Sequence, residues 1–176
     1  MTNLLTVMIA LAAAALVPAG LPAQGARRAP GFCLPDSKME LHDLADYRGK
    51  PVIVEFMQTT CPHCQRLADI LENLHQKYGD RVGILSVANP PDNQTKVAQF
   101  IAEHKVAYPI VFDCGQAAYS YLRVQSFNLP QVFVIDQQGM IRNQFSYGPG
   151  TLEIFEGNGL AAEVDRLLPH AGGPKK

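Results

Sequence analysis

Apolar residues follow two spacings along this chain. Residues 51–57 (Pro-Val-Ile-Val-Glu-Phe-Met) form a nearly unbroken β-branched and aromatic run behind a Gly-Lys-Pro turn. Such a run predicts a central strand buried on both faces. Directly after it, Cys64, Leu67, Ile70, Leu71, Leu74 and Tyr78 recur at helical spacing up to Gly79. That pattern predicts a helix, with Pro62 at its first position, where a missing N–H costs nothing. Further strands are predicted at 82–87, 108–113, 131–136 and 140–145, the last two joined by the Gln138-Gly139 turn as an antiparallel hairpin. Helical spacing returns at 97–104, 117–122 and 160–168. Phe32, Leu34, Leu41 and Leu44 flank a turn at Pro35-Asp36 and predict a short N-terminal hairpin. The order β-α-β-α-β-α-ββ-α gives an α/β class: a mixed sheet with helices on both faces, in which strands joined through helices run parallel.

The N-terminal pattern differs. Residues 4–17 are an uninterrupted stretch of apolar and small residues, too short to span a bilayer comfortably, and Pro18, Gly20 and Pro22 end it. This is the pattern of an export signal covering 1–23, although its positive charges, Arg27 and Arg28, follow the run rather than precede it. An uncleaved anchor is the alternative. The remaining division is a polar linker at 24–31, a folded unit at 32–170 and a flexible tail at 171–176. Fifteen Lys and Arg against 16 Asp and Glu leave a net charge of −1, which gives no electrostatic case for nucleic acid or an anionic membrane surface. Four cysteines are too few to hold a chain of 176 residues as a disulfide miniprotein.

The chemistry-bearing motif is Cys61-Pro62-His63-Cys64, placed where the buried strand ends and the helix begins. Two thiols at this spacing on a first helical turn can close a small disulfide. The helix N–H groups favour a thiolate on Cys61, the attacking species, and His63 can add a charge or a hydrogen bond. Cys64, one turn in, is expected to be the resolving thiol. A structural zinc site would need two more ligands, and Cys33 and Cys114 are isolated, so no metal is expected. Glu55 is unusual within an apolar run, because buried carboxylates are rare unless paired. A solvated Glu on an edge is the alternative. His42, His75, His104 and His170 lie in polar stretches and read as surface residues. Met57 and Phe133 read as core.

These residues carry a resemblance. Phe32-x-Leu34-x-Asp36, Leu44-x-x-Tyr47-Arg48-Gly49-Lys50-Pro51-Val52-x-Val54-x-Phe56, the Cys-Pro-His-Cys, and Leu129-Pro130-x-x-Phe133-x-Ile135-Asp136-x-x-Gly139 are similar to TlpA/ResA-type extracytoplasmic thioredoxin-like proteins, from about Phe32 to Leu168. The resemblance implies a thioredoxin-like fold and a periplasmic thiol–disulfide oxidoreductase that needs no cofactor beyond its Cys61–Cys64 couple. By the same resemblance, Pro130, after Leu129, is the cis-proline that exposes backbone to an extended partner segment. Glu55 matches the buried acid of the active-site strand, and residues 89–113 match the insertion of TlpA-like proteins. Implied partners are exported Cys-containing proteins, apocytochromes among them, and a membrane redox protein that resets the dithiol, with the chain itself a monomer. Two departures bear on direction. Thr60 stands where the family has Trp, and Pro62-His63 is the dipeptide of the oxidant DsbA rather than the Gly-Pro of thioredoxin.

Cys33 and Cys114 have three readings: a structural disulfide, two inert buried thiols or an auxiliary redox pair. Two other functions compete with the main one. A peroxiredoxin-like peroxidase shares the extended fold, but Gln58 occupies the place of its Thr or Ser. A copper chaperone of the SCO type spaces its cysteines by three residues, not two, and has a distant His that this sequence lacks near Pro130.

Overall fold

The computed structural model describes residues 27–169. The export signal, residues 24–26 of the linker, His170 and the tail lie outside the described residues. The chain order is β1 (Cys33–Pro35), β2 (Leu41–Asp43), β3 (Val52–Met57), α1 (Pro62–Tyr78), β4 (Gly83–Ala88), α2 (Gln94–His104), β5 (Ile110–Phe112), α3 (Gln116–Leu122), β6 (Gln131–Ile135), β7 (Ile141–Ser146), α4 (Leu152–Glu156) and α5 (Gly159–Leu167). β1 and β2 pair antiparallel as the expected hairpin. The Asp36 carboxylate holds its turn, accepting the N–H groups of Lys38 at 2.8 Å and Glu40 at 2.9 Å.

The main sheet has the order β5-β4-β3-β6-β7. β3 is central and every residue of it is buried, as its β-branched run requires. The strand pairs parallel with β4 and β4 pairs parallel with β5. One expectation fails here. β6 follows a helix yet pairs antiparallel with β3, in the register Val52↔Ile135 to Phe56↔Gln131. The chain leaves edge strand β5 and crosses to the far side of β3, so β6 enters from the end where β3 stops. β7 then returns antiparallel to β6.

Each face of the sheet has its own core. Ile53, Met57, Ile84 and Val132 pack beneath Leu67, Leu71, Val97 and Leu160, from α1, α2 and α5. Val54, Phe56, Val87 and Phe133 pack against Ala117 and Tyr121 of α3. Burial of each such side chain contributes about 1.5–3 kcal/mol, an upper estimate because unfolded chains are not fully extended.

Local chemistry sets the element ends. Gly79 closes α1 at φ 52°, where other residues are strained. Asn93 caps α2 by accepting the N–H of Lys96, so that helix starts earlier than its apolar spacing indicates. The buried Asp113 carboxylate accepts the N–H groups of Ala117 at 3.1 Å and Ala118 at 2.9 Å and so starts α3. β5 is shorter than predicted because Pro109 has no N–H to give the ladder. α4, which the apolar pattern does not reveal, turns Ile154 and Phe155 into the α1-side core.

Candidate active site

β3 ends at Met57, and residues 58–60 turn the chain into α1. Cys61 is the N-cap, with extended backbone, and donates its own N–H to the Gln58 carbonyl at 3.1 Å. No side chain caps α1, which leaves its first-turn N–H groups and the positive end of the dipole to whatever lies at Cys61. Pro62 takes the first helical position. The Cys61 thiol is half-buried, and its Sγ lies 3.8 Å from the carbonyl oxygen of Leu129. The Leu129–Pro130 peptide bond is cis and leads directly into β6. The antiparallel entry of β6 is therefore what lays this carbonyl beside the dithiol.

Cys64 is fully buried. Burial first, then the Glu55 charge and the hydrogen bond to Cys61, push its thiol far above the ordinary range, while a backbone bond at Gln58 opposes them. Glu55 is 1% exposed, so the solvated alternative is excluded. Its Oε2 accepts the Ser86 hydroxyl at 2.5 Å, and Glu55 and Ser86 are register partners on β3 and β4. Its Oε1 has no partner among the described residues. Burial pushes the carboxyl up to about 8, against a smaller lowering by Ser86. Tyr108 lies in the same buried surroundings, and burial followed by the Glu55 charge pushes its phenol up.

The turn before Cys61 is held from the loop after β4. Asp92 accepts the Thr59 N–H and the Thr59 hydroxyl, both at 2.7 Å. The Gln58 amide donates to the Pro90 carbonyl. On the other side, the His63 ring stacks on Tyr147 with centroids 3.6 Å apart. The Arg66 guanidinium lies 2.6 Å from His63 Nδ1. A guanidinium only donates, so Nδ1 is the accepting atom of this contact. Glu156 joins this cluster, pairing with Arg66 at 3.2 Å and accepting the Tyr147 hydroxyl at 2.9 Å. Beside Leu129 runs a groove of about 530 Å³ walled by Gln58, Pro90, Cys114, Tyr119 and Phe127.

The structure thus brings together Cys61, Cys64, Glu55, Leu129 and Pro130, with Pro62 and His63 on the first turn of α1. Cys33 and Cys114 lie outside this cluster and both are exposed, which overturns the reading of two buried thiols. His42 and His104 are not free surface residues. They are half-buried against Asp36 at 3.2 Å and Asp69 at 3.6 Å. Ser86, Asp92, Arg66 and Tyr147 were not singled out from the sequence. Ser86 carried one signal, a lone hydroxyl in an otherwise apolar strand.

Residues 26–144 match the AhpC/TSA family. The thiol–disulfide oxidoreductase ResA of Geobacillus kaustophilus is 34% identical over 129 residues, which span 73% of this chain and 72% of that protein. A Chlorobium tepidum structure described as a thiol:disulfide interchange protein DsbE superposes with a TM-score of 0.66 at 25% identity, covering 78% of this chain and 96% of the other. A second Chlorobium tepidum protein, a thioredoxin-family thiol:disulfide interchange protein, reaches a TM-score of 0.70 at 19% identity, covering 82% and 98%. That second likeness is one of fold.

Proposed function

The chain belongs to the AhpC/TSA family and within it is a thiol–disulfide oxidoreductase of the ResA type; from this premise we propose that Cys61-Pro62-His63-Cys64 is its redox centre and that it works on exported proteins as a reductant. One observation carries the reading: a half-buried thiol at an uncapped helix N-terminus faces the Leu129 carbonyl, with a second thiol and a buried carboxyl behind it. An extended substrate segment has backbone to pair with along residues 129–130, and the groove beside them takes its side chains.

The Cys61 thiolate attacks one sulfur of a substrate disulfide, forming a Cys61–substrate mixed disulfide and releasing the other sulfur as a thiolate. Cys64 loses its proton towards Glu55 and attacks Cys61 Sγ. The second substrate sulfur leaves, and a Cys61–Cys64 disulfide remains. The substrate gains two electrons and the dithiol gives up two. A membrane redox protein resetting the pair, and apocytochromes among the substrates, are the partners the resemblance implies.

Direction rests on His63. Pro-His favours an oxidant when an imidazolium stabilises the reduced form. Here the His63 ring is engaged away from Cys61, with Nδ1 against the Arg66 guanidinium and its face on Tyr147. The expected potential is therefore near that of thioredoxin, about −270 mV, and far from the roughly −120 mV of DsbA. The 1–23 segment, outside the described residues, supplies the case for export. No helix among the described residues is long and apolar enough to cross a membrane.

The test is trapping. Cys64→Ala should accumulate mixed disulfides with exported proteins through Cys61, and Cys61→Ala few. Equal trapping by both variants, or peroxide consumption without disulfide reduction by the unaltered protein, would overturn the assignment.

A further inference from the structure

Glu55 and Tyr108 carry two buried polar atoms that complement each other. Glu55 Oε1 is an acceptor and the Tyr108 hydroxyl is a donor, and neither has a partner among the described residues. Both side chains are buried, at 1% and 3% exposure. Buried polar groups are costly to leave unpaired, so two in one compartment call for a common account.

The strands set the two groups on one side of the sheet. Glu55 stands between Ile53 and Met57 on β3, and Ser86 between Ile84 and Ala88 on β4. Those four apolar residues belong to the α1-side core, so alternation turns Glu55 and Ser86 towards it as well. The Ser86 N–H donates to the Pro109 carbonyl at 3.1 Å, which brings the neighbouring Tyr108 alongside, and Tyr108 packs into the same core. The Ser86 hydroxyl has one proton, and it goes to Glu55 Oε2. Oε1 is left for a second donor. After burial, the Glu55 charge acts most strongly on the Tyr108 phenol, and Ser86 acts next. Glu72 and Asp69 of α1 also face Tyr108 but are engaged elsewhere. Glu72 accepts from Gln76 at 3.0 Å and from the Ala107 N–H at 2.8 Å, and Asp69 pairs with His104 of α2 at 3.6 Å. His75 lies T-shaped to the Tyr108 ring, with centroids 6.4 Å apart. Val132, opposite Glu55 on β6, is apolar, and from α1 the Cys64 thiol feels the Glu55 charge.

We propose that Tyr108 is a positioning residue for the second step of the dithiol: its hydroxyl donates to Glu55 Oε1, directly or through one bridging water, and holds the ionised carboxylate ready for the Cys64 proton. The inference rests on the reading of Glu55 as the acceptor of that proton. In the step itself the proton passes from Cys64 Sγ to the Glu55 carboxylate, and the Cys64 thiolate attacks Cys61 Sγ. Tyr108 and Ser86 keep their own protons. A donor to the charged form favours that form, so Tyr108 sets the pH at which Glu55 becomes available.

The test compares the full chain with Tyr108→Phe and Ser86→Ala, each loaded at Cys61 as a mixed disulfide with thionitrobenzoate. Release of the chromophore, followed against pH, reports attack by Cys64. An NMR titration of the Glu55 carboxyl carbon reads the same group without turnover. Loss of the Tyr108 hydroxyl should move the midpoint of both curves up by about one pH unit and slow release at pH 7 by roughly tenfold. Ser86→Ala should move them in the same direction. In a chain already carrying Glu55→Gln, adding Tyr108→Phe should slow release no further. Unmoved midpoints in a folded Tyr108→Phe protein, while Glu55→Gln alone still slows release, would overturn the role of Tyr108 and leave Glu55 as the base. Release unaffected by Glu55→Gln would overturn the base itself, and the proposal with it.

Discussion

Replacing Glu55 by Gln takes the titratable carboxyl away from the base of the site while preserving side-chain size. The amide oxygen can still accept the Ser86 hydroxyl, so the packing between β3 and β4 is kept. The carboxyl sits at about 8 in the folded chain against an ordinary 4.5, and burial is the main cause. A raised folded value means that the folded state holds this proton more tightly than the unfolded chain does. The associated stability is fully present below about pH 4.5 and is lost as pH rises through about 8. The full interval corresponds to on the order of 4–5 kcal/mol, and to about 3 kcal/mol at pH 7. Urea unfolding of the reduced protein across this window should show wild-type stability falling with pH and the Glu55→Gln curve nearly flat, with the variant the more stable above about pH 5. Activity should move the other way. With Cys61 loaded as a mixed disulfide with thionitrobenzoate, stopped-flow release of the chromophore reports attack by Cys64. Loss of the proton acceptor should slow that step by roughly 10²-fold, the low end for general acid–base assistance. The first attack by Cys61 should change little. Parallel stability curves for the two proteins, together with unchanged release, would refute both the buried charge and its role.

Arg66→Ala frees His63 Nδ1 and should raise the reduction potential of the dithiol by about 30 mV, equivalent to about 1.4 kcal/mol in favour of the reduced form. A redox titration giving an unchanged or lower potential would dismiss the argument about direction. Asp92→Ala removes both bonds to Thr59 and should destabilise the fold by about 1–3 kcal/mol while slowing the attack by Cys61, readable by urea unfolding and stopped flow. Gly83→Ala should destabilise by about 1–3 kcal/mol in urea unfolding, because its Cβ would fall 2.2 Å from the Tyr47 ring. Wild-type stability there would mean that the ring swings away freely.

What was legible in the sequence follows from what local pattern encodes. β3 could be read because a strand buried on both faces must be apolar at every position, and Glu55 stood out against that background. α1 was equally plain, since its buried positions repeat at helical spacing and Pro62 and Gly79 mark its ends. The direction of β6 was not legible. Parallel and antiparallel entry use the same five buried residues, and only the crossing of the chain over the sheet decides between them. α4 escaped because one short turn of helix between Gly150 and Gly157 has too few apolar positions to show a period. The site divided along the same line. Cys61, Cys64 and Glu55 lie close in sequence on one strand–helix unit. Asp92, Tyr147 and Glu156 reach the site from loops and elements whose placement depends on the whole sheet.

The place of β6 between β3 and β7 also fixes when the chemistry becomes available. Cys61 and Leu129 are 68 residues apart. A chain that emerges N-terminus first has its dithiol and α1 finished while the Leu129 carbonyl has yet to be made. During that interval the unit of β5, β4 and β3 leaves the second edge of Val52–Met57 open, with unpaired backbone donors and acceptors along an apolar strand. Docking of β6 closes that edge and brings the Leu129 carbonyl to Cys61 in one event. On the proposed reading of the site, maturation and substrate selectivity therefore share a clock, and a nascent or truncated chain ending before β6 carries two thiols without the Leu129 carbonyl beside them.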